Sequence, residues 1–365
     1  MDAADRIARL RLIRSATIGP VTYRQLLTRF GSAQAALAAI PDLAARGGGR
    51  TPRLVTRAEA EAEARAVARL GARYLFLGEE DYPALLAEAE GAPPVLIVKG
   101  EVALLQRQAV AIVGARNASA AACRFARGLA QALGEAGLLV VSGLARGIDS
   151  AAHDGALETG TAGVIAGGID VVYPPENEER QRAVAERGLL IAEMPPGIEP
   201  RARHFPWRNR IIAGLATGTV VIEAAPKSGS LITARLAADF GREVMAVPGS
   251  PLDPRAQGCN LLIRDGATLI QTAEDVLEQI RPGAIPRSPK PPPVRESAPI
   301  SEAGDAERDA LAGLLGPTPV PVDELIRQSG LAPALVPTIL LELELAGRLE
   351  RHAGGKVSLC PEARD

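Results

Sequence analysis

From residue 108 onward the chain repeats one pattern: a short, unbroken apolar run, a turn that often carries glycine, then a helical stretch. The runs Ala109–Gly114, Leu138–Ser142, Ala162–Ala166, Leu189–Glu193, Thr219–Ala224 and Glu243–Val247 are apolar without alternation. Such runs read as strands buried on both faces, as in a parallel sheet. Helices are expected between them over Ala118–Ala136, Ser150–Thr159, Asn177–Arg187, Asn209–Ala216 and Leu231–Phe240. The alternation predicts an α/β fold with a Rossmann-like, doubly wound, mostly parallel sheet. Within residues 72–107, YLFLGEEDYP and PPVLIVKGE add flanking strands.

Both ends of the chain break this rhythm. Up to residue 70, short helical runs at Asp5–Ser15, Tyr23–Phe30, Ala33–Ile40 and Arg57–Leu70 are separated by turn signals, the last at Gly47–Gly49. IGPVTYRQLLTRFGS looks like a helix-hairpin-helix or SAM-like unit. Thr17 stands where a phosphate-gripping hairpin has its second glycine, which favours a structural helical module over a DNA grip. Residues 281–304 hold seven prolines and read as an extended linker. Beyond it, helices at Asp305–Leu315, Val322–Ser329 and Ala334–Ala346, followed by the hairpin GRLERHAGGKVSLC, describe a winged helix. The expected domains are 1–70, 71–280, the linker 281–304, and 305–365.

Composition narrows the function. Hydrophobic residues make up 47% of the 365 and aromatic residues 3%, so the core is aliphatic. A net charge of −2 means that any nucleic-acid binding must come from a local patch. Cys123, Cys259 and Cys360 lie far apart, as do His153, His204 and His352, which argues against a disulfide framework or a metal site. The N-terminus MDAADRIARLRLIR is charged throughout and no apolar run approaches the ~20 residues of a membrane span, so a cytoplasmic protein is expected.

Ligands of doubly wound folds bind beyond the carboxyl ends of the strands, so the strand-end loops carry the candidate chemistry. In AIVGARNAS, Gly114 permits a tight turn and Arg116 adds a cation at a helix start; GxGxxG is absent, so a dinucleotide is not expected. In SGLARGIDSAAHDGAL, Gly143 and Gly147 flank Arg146, which either meets a phosphate or pairs with Asp149 or Asp154. RARHFPWRNRIIAGL places Arg201, Arg203, Arg208 and Arg210 in one loop with Asn209, Phe205 and Trp207 and no acid. Cations interleaved with aromatics suit single-stranded nucleic acid, with Trp207 itself assigned to core packing and Arg210 able to pair with an acid such as Glu223. In EAAPKSGSLITA, Lys227, Ser228, Gly229 and Ser230 form a phosphate nest, or Ser230 simply caps the next helix. No Walker A sequence occurs.

Read in order, VGAR, SGLARGIDSAAHDGAL, GGIDVVYPPEN, FPWRNRIIAGL, VVIEA, SGSLITA, GREVMAVPGS and GCNLLIRDGA resemble the signature set of the DNA-processing protein A (DprA/Smf) family, nearly without gaps over 109–270. The resemblance implies a non-enzymatic protein without a cofactor. It would bind single-stranded DNA, dimerise through the Rossmann-like core, and help load the RecA recombinase during natural transformation. It also implies that Arg116 and the basic residues around FPWRNR line the DNA pocket. Ala115 replaces a common Ser, and Pro175 stands where some members have Lys.

Two other readings compete. A nucleotide phosphoribohydrolase shares a similar core, but PGGxGT is absent and Glu193 and Glu223 stand isolated at strand ends. A transcription factor would use the winged helix. Its third helix has no Lys or Arg but carries Glu342 and Glu344, and residues 303–365 hold ten acids against six bases. A duplex would repel that balance, the cluster Arg348, Arg351 and Lys356 reading as a solvated wing. An accessory or protein-contact role is expected.

Overall fold

The computed structural model describes residues 1–280, 303–352 and 354–360; the proline-rich 281–302 lie outside the described residues, as do Glu362, Arg364 and Asp365 of the charge count. The chain divides into two compact units, Glu63 to 280 and Met1–Ala62 together with the described residues from 303 onward.

The four N-terminal helices are α1 (Ala3–Arg14), α2 (Pro20–Phe30), α3 (Ala33–Arg46) and α4 (Arg57–Arg69). The larger unit then runs β1 (Arg73–Phe76), α5 (Ala84–Glu88), β2 (Val95–Gly100), β3 (Ala109–Gly114), α6 (Ala120–Glu135), β4 (Leu139–Ser142), α7 (Ile148–Ala156) and β5 (Thr161–Gly168). It continues with α8 (Glu178–Arg187), β6 (Leu189–Met194), α9 (His204–Leu215), β7 (Gly218–Ile222), α10 (Gly229–Asp239), β8 (Glu243–Ala246), α11 (Gln257–Arg264), β9 (Thr268–Leu269) and α12 (Ala273–Gln279).

Nine strands form one sheet in the order β1-β2-β6-β5-β4-β3-β7-β8-β9. All neighbours from β6 to β9 are parallel, whereas β2 joins β6, and β1 joins β2, antiparallel. The sheet is Rossmann-like and doubly wound. Winding starts at β3 and proceeds outward through β4, β5 and β6, then resumes on the other side at β7, so the order reverses between β3 and β7. The unbroken apolar runs have a simple cause. Along β3, Ala109, Ala111 and Val113 enter one core with Ile211, Ile212 and Leu215 of α9. The intervening Val110 and Ile112 enter the other, with Ala126, Leu129 and Leu133 of α6. Successive strand residues face opposite ways, so a strand covered on both faces has few polar positions, here small hydroxyl residues such as Ser142, Thr161 and Thr219.

Two helices depart from the sequence reading at prolines. α3 continues past Pro41 to Arg46 because Leu43 and Ala44 stay on the buried face. α9 begins at His204, not Asn209, because Pro206 falls in its first turn, where a missing N–H costs nothing. The segment read as an Arg-rich loop is therefore largely helix.

The smaller unit adds α13 (Asp305–Gly313), β10 (Val320–Pro321), α14 (Val322–Ser329), α15 (Leu335–Leu345), β11 (Leu349–His352) and β12 (Lys356–Leu359), with a three-stranded sheet ordered β10-β12-β11. This is the winged helix, and its third helix is α15. α15 is apolar on two sides. Val336, Ile339, Leu340 and Leu343 fill the winged-helix core. Leu341 and Leu345 enter the core of α1–α3, beside Leu12, Tyr23 and Leu37. A helix apolar all round is a buried helix. The glycine turn after α3 makes the close approach possible: a Cβ on Gly47 would lie 2.1 Å from the Glu342 carbonyl oxygen, and one on Gly49 2.2 Å from that of Ala346.

The charge reading of this module changes accordingly. Glu342 (1% exposed) and Glu344 (8%) are buried rather than facing a duplex. Glu342 accepts from Arg308 Nε at 2.8 Å and Glu344 from Arg351 Nε at 2.8 Å. Arg348 donates to the Gly47 carbonyl at 3.2 Å, so it and Arg351 are engaged rather than free on a solvated wing.

Leu341→Ala should cost roughly 2–5 kcal/mol, because it opens a cavity where two layers meet. Hydrogen exchange should speed up in both α1–α3 and the winged helix while the nine-stranded sheet keeps its protection. Faster exchange in the winged helix alone would show that the N-terminal helices do not depend on α15.

Candidate functional site

A cleft of about 230 Å³ opens at the carboxyl ends of β3, β4 and β5, where Arg116, Gly143–Arg146 and Ile165–Gly167 meet the first turns of α9. Arg208 forms one wall. Although a cation, it is only 7% exposed. The nearest carboxylate, Asp149 at the start of α7, lies 3.9 Å from Arg208 Nη1 and is itself buried. Asp149 also accepts the backbone N–H groups of Gly143 at 3.2 Å and Ala145 at 3.4 Å. Burial pushes the Asp149 carboxyl up, and Arg208 pulls it back. Burial likewise lowers Arg208, opposed by Asp149 and reinforced by Arg116. Arg208 Nε has no hydrogen-bond partner among the described residues. That Nε is itself buried, so it is the residue's place in the cleft wall beside Arg116, not the unpartnered donor, that suits the site to an anion.

Gly143 is dictated by this guanidinium, since a Cβ there would lie 1.4 Å from Arg208 Nη1. Gly147 has φ +74°, and a Cβ would meet the Ala115 carbonyl at 2.3 Å. That contact, with the Ile148 N–H donating to the Ala115 carbonyl at 3.2 Å, ties the second loop to the first. Gly114 serves the same end, because a Cβ would lie 2.6 Å from Ile148 Cγ1 as well as 1.9 Å from the Ile222 carbonyl of β7. Leu144 adopts φ +53°, a costly conformation for a side-chain-bearing residue. It is held from both ends: its N–H donates to His153 Nε2 at 3.3 Å and its carbonyl accepts from Asn177 Nδ2 at 2.8 Å. Burial drives His153 down to about 3, so the ring stays neutral and able to accept that bond.

Over the cleft stands Phe205. The Arg116 guanidinium lies 5.2 Å from its ring centroid, that of Arg208 6.0 Å, and the Tyr173 ring 5.6 Å at a tilt of 57°. Arg116, Gly143, Arg146, Phe205 and Arg208 thus line one cleft. Arg201 and Arg203 are exposed just before α9, where their charges add to burial in lowering His204.

Several expectations are corrected. Arg146 approaches Glu176 at 4.0 Å, not Asp149 or Asp154, which serve Arg208 and the pair Arg127 and Arg180. Arg210 is turned away, bound to Glu193 at 2.5 Å and to the Gly91 carbonyl; Glu223 instead accepts the Ser119 N–H. The cap of α10 is Ser228, whose Oγ accepts from the Ser230 N–H at 3.4 Å. With exposed Lys227 and Gly229 it lies at the end of β7, outside the cleft lining, while Asn209 reaches the Gly229 carbonyl at 3.4 Å. Trp207 is 48% exposed rather than packed in the core. Tyr173 was missed, although it is one of only four tyrosines and sits within the YPPEN motif. No group of three or more metal-ligating side chains occurs among the described residues, nor a helix long and apolar enough to cross a membrane.

The family model for DNA recombination-mediator protein A matches residues 73–281. The chain belongs to that family. Further models, a DprA-like N-terminal HHH domain and a DprA winged helix domain, match residues 3–66 and 289–355. Protein Smf of Synechocystis sp. is 35% identical over 77% of this chain and 79% of its own length. DNA processing protein DprA of Streptococcus pneumoniae is 45% identical over 55% of this chain and 72% of its own. The X-ray structure of the pneumococcal protein superposes with a TM-score of 0.58 at 40% identity, covering 62% of this chain and 78% of that one. DNA processing protein A of Helicobacter pylori, whose structure concerns its single-stranded DNA binding mode, gives 0.52 at 27% identity, covering 57% and 95%. Within the cleft of this chain, Arg208 and Asp149 form a buried pair of opposite charges.

Arg208→Ala leaves a buried carboxylate without its cation and should cost up to about 3–5 kcal/mol near neutral pH, read as a lower Tm. The Asp149 carboxyl, already raised by burial, then rises further. A group whose folded pKa exceeds its unfolded value binds its proton more tightly when folded, so its contribution falls as pH rises through the folded pKa. The Tm gap between native protein and variant should therefore narrow on going from about pH 8 to about pH 5. A gap that widens on acidification would exclude Asp149 as the stranded charge.

Proposed function

We propose that this chain binds single-stranded DNA in the cleft beneath Phe205, as a non-enzymatic recombination mediator in the cytoplasm that protects incoming DNA and helps load RecA during natural transformation. The observation that carries the reading is the convergence of two guanidinium groups, Arg116 and the largely buried Arg208, with the Phe205 and Tyr173 rings around one cleft. Guanidinium groups meet phosphates and aromatic faces meet bases without regard to sequence, which suits a mediator that must accept any strand. Arg146, Arg201 and Arg203 would extend the phosphate contacts, and the Lys227–Ser230 turn offers a further backbone contact beyond the cleft. RecA loading and a homodimer through the Rossmann-like core are parts of the proposal that the family resemblance implies, and the single-stranded DNA binding mode of the Helicobacter pylori relative supports the strand-binding part.

The phosphoribohydrolase reading is disfavoured by the acids. Glu193 is tied to Arg210 and Glu223 to the Ser119 N–H, and Asp149 is held against Arg208. Incubation with AMP should release no adenine. The transcription-factor reading is disfavoured by α15, the helix that would enter a major groove, because its residues are spent on two cores.

A gel shift over a salt series, with single-stranded and duplex oligonucleotides, tests the proposal. Single strands should be preferred, and affinity should fall steeply with salt as counterions are released. Arg116→Ala should weaken binding and flatten the slope of log K against log salt by about 0.7, the share of one phosphate on a single strand. Salt-insensitive binding, or an Arg116→Ala variant with the native slope, would remove the cleft from the phosphate path.

A further inference from the structure

Trp207 is the chain's only tryptophan, and it is half exposed. An indole is a large apolar surface, and α9 gives it no core to enter. It is nevertheless held in place. The His204 ring lies 5.8 Å away at 23°, a stacked arrangement, and His204 is itself buried. His204 is fixed in turn by the Arg201 N–H, which donates to its Nδ1 at 3.3 Å, and by a backbone contact to Ala166 at the end of β5. Burial, with Arg203 and Arg201, lowers the His204 pKa and so favours the neutral ring. One ring therefore backs the indole while part of its surface faces solvent, next to two exposed arginines.

Position on the helix sets the direction. Trp207 follows Phe205 by two residues, about 200° around the axis, so the two rings leave α9 on different flanks. Phe205 faces Arg116 and the ends of β3 to β5. Trp207 shares its flank with His204 and Arg210, whose partner Glu193 lies on β6. The strand ends run in the order β3, β4, β5, β6 across the sheet, so the two rings are spread along that row.

Building on the single-stranded-DNA reading, we propose that Trp207 is a second base-stacking platform, separate from the cleft at Phe205, with Arg201 and Arg203 receiving the phosphates between them. The ligand is an unpaired nucleobase of the same strand, of any identity. Stacking brings no ionic contact, which distinguishes this role from that of Arg116.

Because the chain has a single tryptophan, its emission reports on this position alone. The full-length protein is titrated with an oligothymidylate while binding is followed in parallel by gel shift. Emission should be quenched, saturating together with the shift. Trp207→Ala should weaken binding by roughly five- to hundred-fold with the salt slope unchanged, and Trp207→Phe should retain most of the affinity. A melting curve establishes that each variant is folded. A shifted complex with unaltered emission, together with native affinity in Trp207→Ala, overturns the stacking role and leaves the cleft reading standing. Failure of the native protein to bind the oligothymidylate overturns both.

Discussion

A guanidinium buried at the carboxyl edge of a parallel sheet constrains most of what surrounds it. Arg208 lies where desolvation lowers its own pKa and raises that of Asp149, so each of the two groups is tolerated only because of the other. The neighbours follow from that pair. Gly143 is a glycine because the guanidinium occupies the place of a Cβ, and the backbone N–H groups of Gly143 and Ala145 turn toward Asp149. Leu144 is forced to a positive φ between them, and a neutral His153 and Asn177 hold it there. The strained Leu144 thus sits against the buried charges of α7 and α9 at one edge of the sheet.

The sheet makes such a loop affordable. Strands whose alternate residues enter two separate cores are rigid, and the reversal of strand order beside β3 leaves loop ends uncovered by crossover helices. The glycine contacts of Gly114 and Gly147 then draw the β3 and β4 loops together, so that Arg116 reaches the ring of Phe205.

Much of this was legible in the sequence, and what was not has physical causes. Six parallel strands were visible because double burial leaves a strand few polar positions, so it reads as a near-continuous apolar run. The place of Arg116, Gly143 and Phe205 in the cleft wall was legible because a cation, a glycine or an aromatic ring just beyond an apolar strand falls in a strand-end loop. The orientation of α9 was not. A proline in a first helical turn is easily read as a break, and with the helix start misplaced the arginines of FPWRNR looked equivalent. The fold separates them: Arg208 into the cleft, Arg210 onto Glu193, Arg203 into solvent. Trp207 was assigned to the core on residue type alone, and only the helical phase shows it outside. The glutamates of α15 were read as repelling DNA, whereas pairing with Arg308 and Arg351 lets them be buried.

That α15 belongs to two cores also bears on how the chain can vary. Most terminal modules can be lost by truncation or proteolysis without harm to the rest, because their interfaces are polar. Here the helix that completes the winged helix also roofs α1–α3, and removing it would uncover the apolar patch around Leu12, Tyr23 and Leu37. A patch of that kind invites self-association. A shortened chain would therefore need compensating polar substitutions on its N-terminal helices to stay monomeric, because one apolar layer serves both ends of the sequence.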